Sequence, residues 1–183
     1  MKNLQSEKIT QQTIAWINSV VIDCNFCPFA KRAMEQKSVK YVVLSKSNIK
    51  DSLDQLAIEL EYLDEHESIE TTFIIFEEDY SDFTRYMELV DEAEDLLMEA
   101  DYEGIYQLAS FHPNYLFADS EADDAANYTN RSPYPMLHLL RESSIDVVLK
   151  HYKHPEQIPI NNMEYARSKG LAYMQLLRAA CMK

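Results

Sequence analysis

Glycine is scarce in this chain, and its scarcity excludes several classes of enzyme. Only two of the 183 residues are glycine, Gly104 and Gly170, and they stand far apart. A phosphate-binding P-loop, a dinucleotide-binding G-x-G-x-x-G turn and a G-x-S-x-G nucleophile elbow each need glycine where the backbone bends sharply or approaches a ligand. The H-E-x-x-H pattern of zinc peptidases is absent too. The sequence therefore excludes all four kinds of site.

Cysteines and long apolar runs are also few. Three cysteines, an odd number, do not suggest the disulfide framework of a secreted protein. No apolar run approaches the roughly 18 residues that span a bilayer. The first residues, MKNLQSEKITQQ, lack the apolar core of a signal peptide. We therefore expect a cytoplasmic protein, and whether Cys24 and Cys27 form a disulfide stays open.

Basic residues are outnumbered by acidic ones. The chain has 17 Lys and Arg residues and 31 Asp and Glu residues, which gives a net charge of −14 at pH 7. Such a balance opposes binding to nucleic acid and to anionic membrane surfaces, although it does not exclude a local basic pocket. The hydrophobic fraction of 46% is ordinary for a globular protein. We expect residues 1–183 to form a single domain, with no oligomeric state indicated.

Hydrophobic periodicity predicts alternating helices and strands along the chain. The first predicted helix covers about residues 7–22, and a short second one runs from Pro28 to Gln36 with Cys27 as its N-cap. Two further helices begin at Ser47 or Asn48 and at Ser81 or Asp82. A fifth runs from Ser132 or Tyr134 to about Lys150, and the last runs from a capping box of Asn161 and Glu164 through about Ala180. The predicted strands are Val39–Ser45, Thr71–Phe76 and Ile105–Phe111, with Thr71–Phe76 in the centre. This order indicates an α/β fold with a three- to four-stranded mixed or parallel sheet flanked by helices. The alternative is an α+β fold with an antiparallel strand.

The stretch Gln107–Glu142 is the first candidate for a functional site. Its irregular middle, about Asn114 to Ser132, is rich in aromatic residues, which is typical of an ordered functional loop. A helix that begins near Pro135 would offer free N–H groups to an anion, with Arg131 just before it.

His138 and Arg141 would share one face of that helix because they are three residues apart. One hypothesis is that Arg131 and Arg141 hold a small anionic molecule while His138 or His112 acts as general acid or base. The other is a non-catalytic binding or scaffold protein, in which the two arginines brace the loop through the carboxylates of Asp123, Asp124 or Glu142. The sequence does not decide whether the protein is an enzyme, and it indicates no cofactor.

Cys27 is a candidate outside this stretch. It forms a C-x-x-C pair with Cys24, and a thiol at a helix N-terminus can serve in redox chemistry because the helix dipole lowers its pKa. The pair follows a helix rather than a strand, unlike the thioredoxin arrangement. Cys27, His112 and His138 could also meet as a metal site or as a Cys–His nucleophile pair, although no metal-ligand spacing predicts it.

Three motifs carry a resemblance to a known family. The segments TIAWINSVVIDCNFCPFA, YQLASFHPNYLFAD and NYTNRSPYPMLHLLRE resemble an uncharacterised bacterial family, the domain of unknown function DUF1415. Cys27 belongs to the first motif, whereas Cys24 stands where the family commonly has another residue, which implies that the C-x-x-C is incidental. The resemblance adds Asn127, Asn130 and Tyr134 to Arg131 and Arg141 as candidate ligand-binding positions. It implies no established activity, cofactor or substrate.

Overall fold

A mixed sheet lies at the centre of the computed structural model, which describes residues 2–183 and has four strands in that part of the chain. The strands are β1 (Val39–Leu44), β2 (Thr71–Phe76), β3 (Tyr106–Phe111) and β4 (Met136–Arg141). Their order is β1-β2-β4-β3. Strand β1 runs parallel to β2, and β4 is antiparallel to both of its neighbours. The predicted α/β fold with a small mixed sheet and flanking helices is confirmed.

Helices surround this sheet. They are α1 (Lys2–Trp16), which continues into a π-helix (Ile17–Ile22), α2 (Ala30–Glu35), α3 (Ile49–Glu65), α4 (Phe83–Glu99), α5 (Glu142–Leu149), α6 (Ile158–Lys169) and α7 (Leu171–Ala180), with 3-10 turns at Ala125–Thr129 and Pro155–Gln157. Two predicted caps are confirmed. The Asn48 side chain accepts the N–H of Asp51 to open α3, and Asp82 opens α4.

The two faces of the sheet carry separate hydrophobic cores, and a smaller third cluster contains Phe29, Ala33 and Leu140. Because side chains alternate along a strand, Ile74, Leu137 and Leu139 pack under α3 and α4. Phe73 and Met136 lie on the opposite face with residues of α1 and the π-helix. Strand β2 is buried along its whole length, as expected for a central strand.

The predicted helix from Ser132 or Tyr134 to Lys150 is wrong in its first half. Residues Met136–Arg141 form the central strand β4, and only Glu142–Leu149 is helical. Pro133 and Pro135 push the residues before them into extended backbone, and the apolar run MLHLLR fills the gap between β2 and β3. His138 and Arg141 therefore point to opposite faces of the sheet. The predicted anion site at a helix N-terminus near Pro135 is also wrong, because a strand begins there.

Two predicted helix starts are also wrong. Helix α2 begins at Ala30 with Phe29 as its N-cap, so Cys27 and Pro28 precede the helix; Asn25, with φ of 57°, bends the chain ahead of them. Asn161 lies inside α6 rather than at its N-cap. Gly170, with φ of 84° and ψ of 157°, separates α6 from α7, a conformation that only glycine adopts readily.

Candidate functional site

A small cavity lies between the sheet and the segment that joins α1 to α2. We call it the inner cavity, and its volume is about 130 Å³. Phe73, Ala109 and His138 form its floor, and Trp16 and Cys27 lie among the residues that cover it. The remaining lining residues are Ile17, Val21, Phe29, Ala30, Ala33, Met34, Val39, Thr71, Phe111 and Leu140. Nearly all of these side chains are apolar, so the few polar atoms at the cavity decide its chemistry.

His138 is held in one tautomer by Thr71. The Thr71 hydroxyl donates its proton to the carbonyl oxygen of Leu139 at 2.6 Å. Its oxygen lies 2.5 Å from Nε2 of His138, and since its only proton is already used, it accepts from Nε2–H. The ring also stacks on Phe73, with 3.7 Å between ring centroids. Nε2 therefore carries the proton, and Nδ1 keeps a lone pair.

Two polar atoms of the lining have no partner among the described residues. Nδ1 of His138 accepts no hydrogen bond there, and burial lowers the pKa of His138 from its usual 6.5 to about 3, so the ring is neutral. The Nε1–H group of Trp16 is fully buried and has no acceptor. Buried polar groups usually have hydrogen-bond partners. Both residues line the inner cavity, whose accessible surface is almost entirely apolar.

Besides His138, Cys27 is the other predicted site residue that lines the inner cavity. Burial raises the pKa of its thiol, although the backbone N–H groups of Phe29 and Ala30 act in the opposite direction. The protonated thiol therefore predominates at neutral pH. Cys24 and Cys27 do not form a disulfide, since all three cysteines are free.

A larger cleft opens on the other side of Cys27. We call it the outer cleft; its volume is about 840 Å³, and it lies between β3, the loop after it and α6. It is lined by several polar side chains, among them Thr129, Asn130 and Arg167. Cys27 lines the inner cavity as well, as do Val21, Ala109 and Phe111. These four residues form a wall common to both spaces.

His112 lies away from the inner cavity and already has two backbone partners. Its Nε2 lies 2.7 Å from the carbonyl oxygen of Tyr80, and its Nδ1 accepts the N–H of Asn114 at 2.9 Å. Burial lowers its pKa, so it is neutral as well. Nε2 ties the start of the loop to the turn that follows β2, and Nδ1 stabilises the first residues of the loop itself, so both nitrogens have structural roles.

Arg131 and Arg141 also bind backbone rather than carboxylates. Arg131 donates to the carbonyl oxygens of Tyr115 and Ala122 and lies over the ring of Tyr128. Arg141 donates to the carbonyl oxygens of Leu63 and Ile69, where a cation complements the C-terminal end of α3.

The prediction that Arg131 and Arg141 brace the loop by pairing with Asp123, Asp124 or Glu142 is therefore wrong. Asp124 forms its ion pair with Arg167 instead, at 2.7 Å. The loop is braced, but by guanidinium groups on carbonyl oxygens.

The other candidate positions divide between the loop and the outer cleft. Asn127 is fully buried; it accepts the N–H of Phe117 and donates to the carbonyl oxygen of Glu121. Asn130 lines the outer cleft and donates to the carbonyl oxygen of Ser110. The hydroxyl of Tyr134 donates to the side chain of Gln12. Of the eight candidates, only Cys27 and His138 line the inner cavity, and Asn130 joins Cys27 at the outer cleft.

Trp16 and Thr71 contribute to the site without having been singled out from the sequence. Trp16 is the one tryptophan of the chain, and Thr71 is one of two threonines that begin the buried central strand. Because a buried hydroxyl costs free energy unless it forms a hydrogen bond, a threonine in such a strand is the feature of the sequence that could have pointed to this contact. Within residues 4–183, no group of three or more His, Cys, Asp or Glu side chains could hold a metal ion.

The comparisons with known proteins identify the family. A model for the family described as a protein of unknown function, DUF1415, matches residues 8–176, so the chain belongs to that family. No curated protein and no solved structure matched. None of the helices in the described residues is both long and apolar enough to cross a membrane.

Proposed function

We propose that this protein binds a small molecule that places an apolar group and one hydrogen-bond donor in the inner cavity. The observation that carries the proposal is an almost entirely apolar cavity lined by His138, a neutral ring whose Nε2 is taken by Thr71 and whose Nδ1 has no partner among the described residues. The volume of about 130 Å³ is close to that of an engineered cavity of roughly 150 Å³ that binds benzene. A single aromatic ring or a short acyl chain matches this size.

The charge of such a ligand would have to lie outside the inner cavity. An anion without a partner is costly in an apolar space, and no Lys or Arg lines the inner cavity. Arg131 and Arg141, which the sequence suggested for an anion, already donate to carbonyl oxygens. Arg167, which lines the outer cleft, is already paired with Asp124 at 2.7 Å, so the lining of neither space offers an unpaired cation to an anionic group.

Binding has more support than catalysis. A pKa of about 3 makes His138 a weak general base, because base strength follows the pKa. The raised pKa of Cys27 argues against thiol redox chemistry and against a nucleophilic role, since the thiolate is the reactive form.

A matched pair of ligands tests the proposal. Benzyl alcohol and ethylbenzene have similar shapes, but only the alcohol can donate to Nδ1. A neutral hydrogen bond contributes about 0.5–1.5 kcal/mol, so calorimetry should show that the alcohol binds the wild type about three- to tenfold more tightly. In His138→Phe this preference should disappear. The control is His151→Phe, a substitution at an exposed histidine, which should retain it.

The proposal fails if neither compound binds the wild type. It also fails if the preference for the alcohol is the same in His138→Phe as in the wild type.

A further inference from the structure

The wall between the inner cavity and the outer cleft consists in part of small side chains. Cys27 and Ala109 belong to it, together with Val21 and Phe111. Because these residues line both spaces, a molecule seated in the inner cavity is separated from the outer cleft by one layer of side chains at most. A ligand that passes between Cys27 and Ala109 would occupy both spaces at once.

The chemistry changes from one side of this wall to the other. The inner cavity is almost entirely apolar, whereas Gln107, Ser120, Thr129 and Asn130 bring amide and hydroxyl groups to the outer cleft. The charged side chains of that cleft are balanced, with one arginine and one aspartate in its lining. This lining fits a polar body without net charge.

His138 stands directly beside the wall. It is paired with Ala109 in the register of β3 and β4, and its ring centroid lies 6.1 Å from that of Phe111. A group that donates to Nδ1 would therefore lie near the point where a ligand passes from one space into the other. An amide N–H is a donor that can also join two parts of a molecule.

From this geometry we propose that the inner cavity and the outer cleft form one site for a two-part ligand. An apolar group of about benzyl size occupies the inner cavity, and an amide N–H that donates to His138 joins it to a polar, uncharged body in the outer cleft. The inference rests on the proposed function and extends it by naming the class of ligand. In this arrangement, Cys27 and Ala109 determine the width of the opening between the two spaces and hence the size of the linking group that fits.

Three probes test the two-part ligand in calorimetric titrations. N-acetylserine benzylamide carries the whole pattern, benzyl alcohol carries the apolar part with a donor, and N-acetylserine methylamide carries the body alone. We expect the benzylamide to bind the wild type at least about tenfold more tightly than benzyl alcohol, because it adds contacts in the outer cleft. The methylamide should bind more weakly than either.

A variant of the wall separates the two spaces. Ala109→Val adds a branched side chain that suits a strand and narrows the junction. It should weaken binding of the benzylamide by about tenfold or more relative to binding of benzyl alcohol, because both ligands lie against residue 109 but only the benzylamide passes through the junction. Ala100→Val, at an exposed position that lines neither space, is the control and should change neither affinity. Cys27→Leu narrows the same junction and replaces Ala109→Val if that variant does not fold.

The outcomes distinguish this inference from the proposed function. If benzyl alcohol binds but the benzylamide binds no more tightly, or if narrowing the wall weakens both equally, the two-part site is overturned while the inner cavity remains a binding site. If neither compound binds the wild type, the proposed function itself has failed.

Discussion

Two adjacent threonines in β2 should respond in opposite ways to the same substitution. Thr71 is 1% exposed and Thr72 is 0% exposed, but they lie on opposite faces of the sheet. The Thr71 hydroxyl bridges Nε2–H of His138 and the carbonyl oxygen of Leu139. The hydroxyl oxygen of Thr72 has no partner among the described residues. Valine has nearly the shape of threonine, so the exchange isolates the hydroxyl.

The expected magnitudes follow from these contacts. Thr71→Val leaves the buried Nε2–H unpaired, which costs about 1–3 kcal/mol of unfolding free energy. For a chain of this length, a loss of about 2 kcal/mol lowers the melting temperature by roughly 4–8 °C. Thr72→Val removes a buried hydroxyl that lacks a partner, so it should be neutral or stabilise the protein by up to about 1 kcal/mol.

Urea unfolding followed by circular dichroism measures both variants. In a His138→Phe background, Thr71→Val should cost less, because no imidazole N–H is left unpaired; the difference is the coupling between the two residues. Equal effects of the two valine substitutions in the wild type would refute the hydrogen-bond assignment.

Four further predictions concern the same regions. The pKa of His138 in the folded protein lies below its unfolded value of 6.5, so the stability that the neutral ring contributes is complete above about pH 6.5. As the pH falls from 6.5 toward 3, the free energy of unfolding decreases by up to about 1.4 kcal/mol per pH unit. Urea unfolding of His138→Phe should show a shallower pH dependence. Ala33→Leu should fill part of the inner cavity, stabilise the free protein by about 0.5–2 kcal/mol in urea unfolding, and abolish calorimetric binding of benzyl alcohol. Arg141→Met should destabilise the protein by about 1.5–3 kcal/mol in the same assay because three carbonyl or hydroxyl acceptors lose a charged donor, whereas Arg167→Met, at an exposed ion pair, should cost less than about 1 kcal/mol. With the other two cysteines replaced by alanine, alkylation of Cys27 should be slow at neutral pH, accelerate as the pH rises, and slow again when the cavity is filled with ligand, as mass spectrometry would show.

Local patterns were enough to predict most of the fold. The apolar run Thr71–Phe76 was identified as a central strand, and Asn48 and Asp82 as the caps of α3 and α4, because these signals depend on neighbouring residues. Strand β4 was missed because a six-residue apolar run fits a helix and a strand equally well. Pro133 and Pro135 fit the first turn of a helix, but each proline also favours extended backbone in the residue before it.

The site could be predicted only in part for the same reason. Cys27 and His138 were both candidates, but their meeting at one cavity depends on β4 lying in the centre of the sheet. His112, Arg131 and Arg141 carry chemically active side chains, yet their partners are backbone atoms of distant segments, which no local pattern reveals. The role of Thr71 follows from the pairing of β2 with β4.

The nitrogen NMR signals of His138 test the central proposal most directly. In protein labelled at histidine nitrogens, the free state should show the Nε2–H form of a neutral ring at pH 7. Adding benzyl alcohol should shift the Nδ1 signal of His138, as expected when that atom accepts a hydrogen bond, and leave both nitrogens of His112 unchanged. If saturating benzyl alcohol leaves the Nδ1 signal of His138 in place, the inner cavity is not the binding site that we propose.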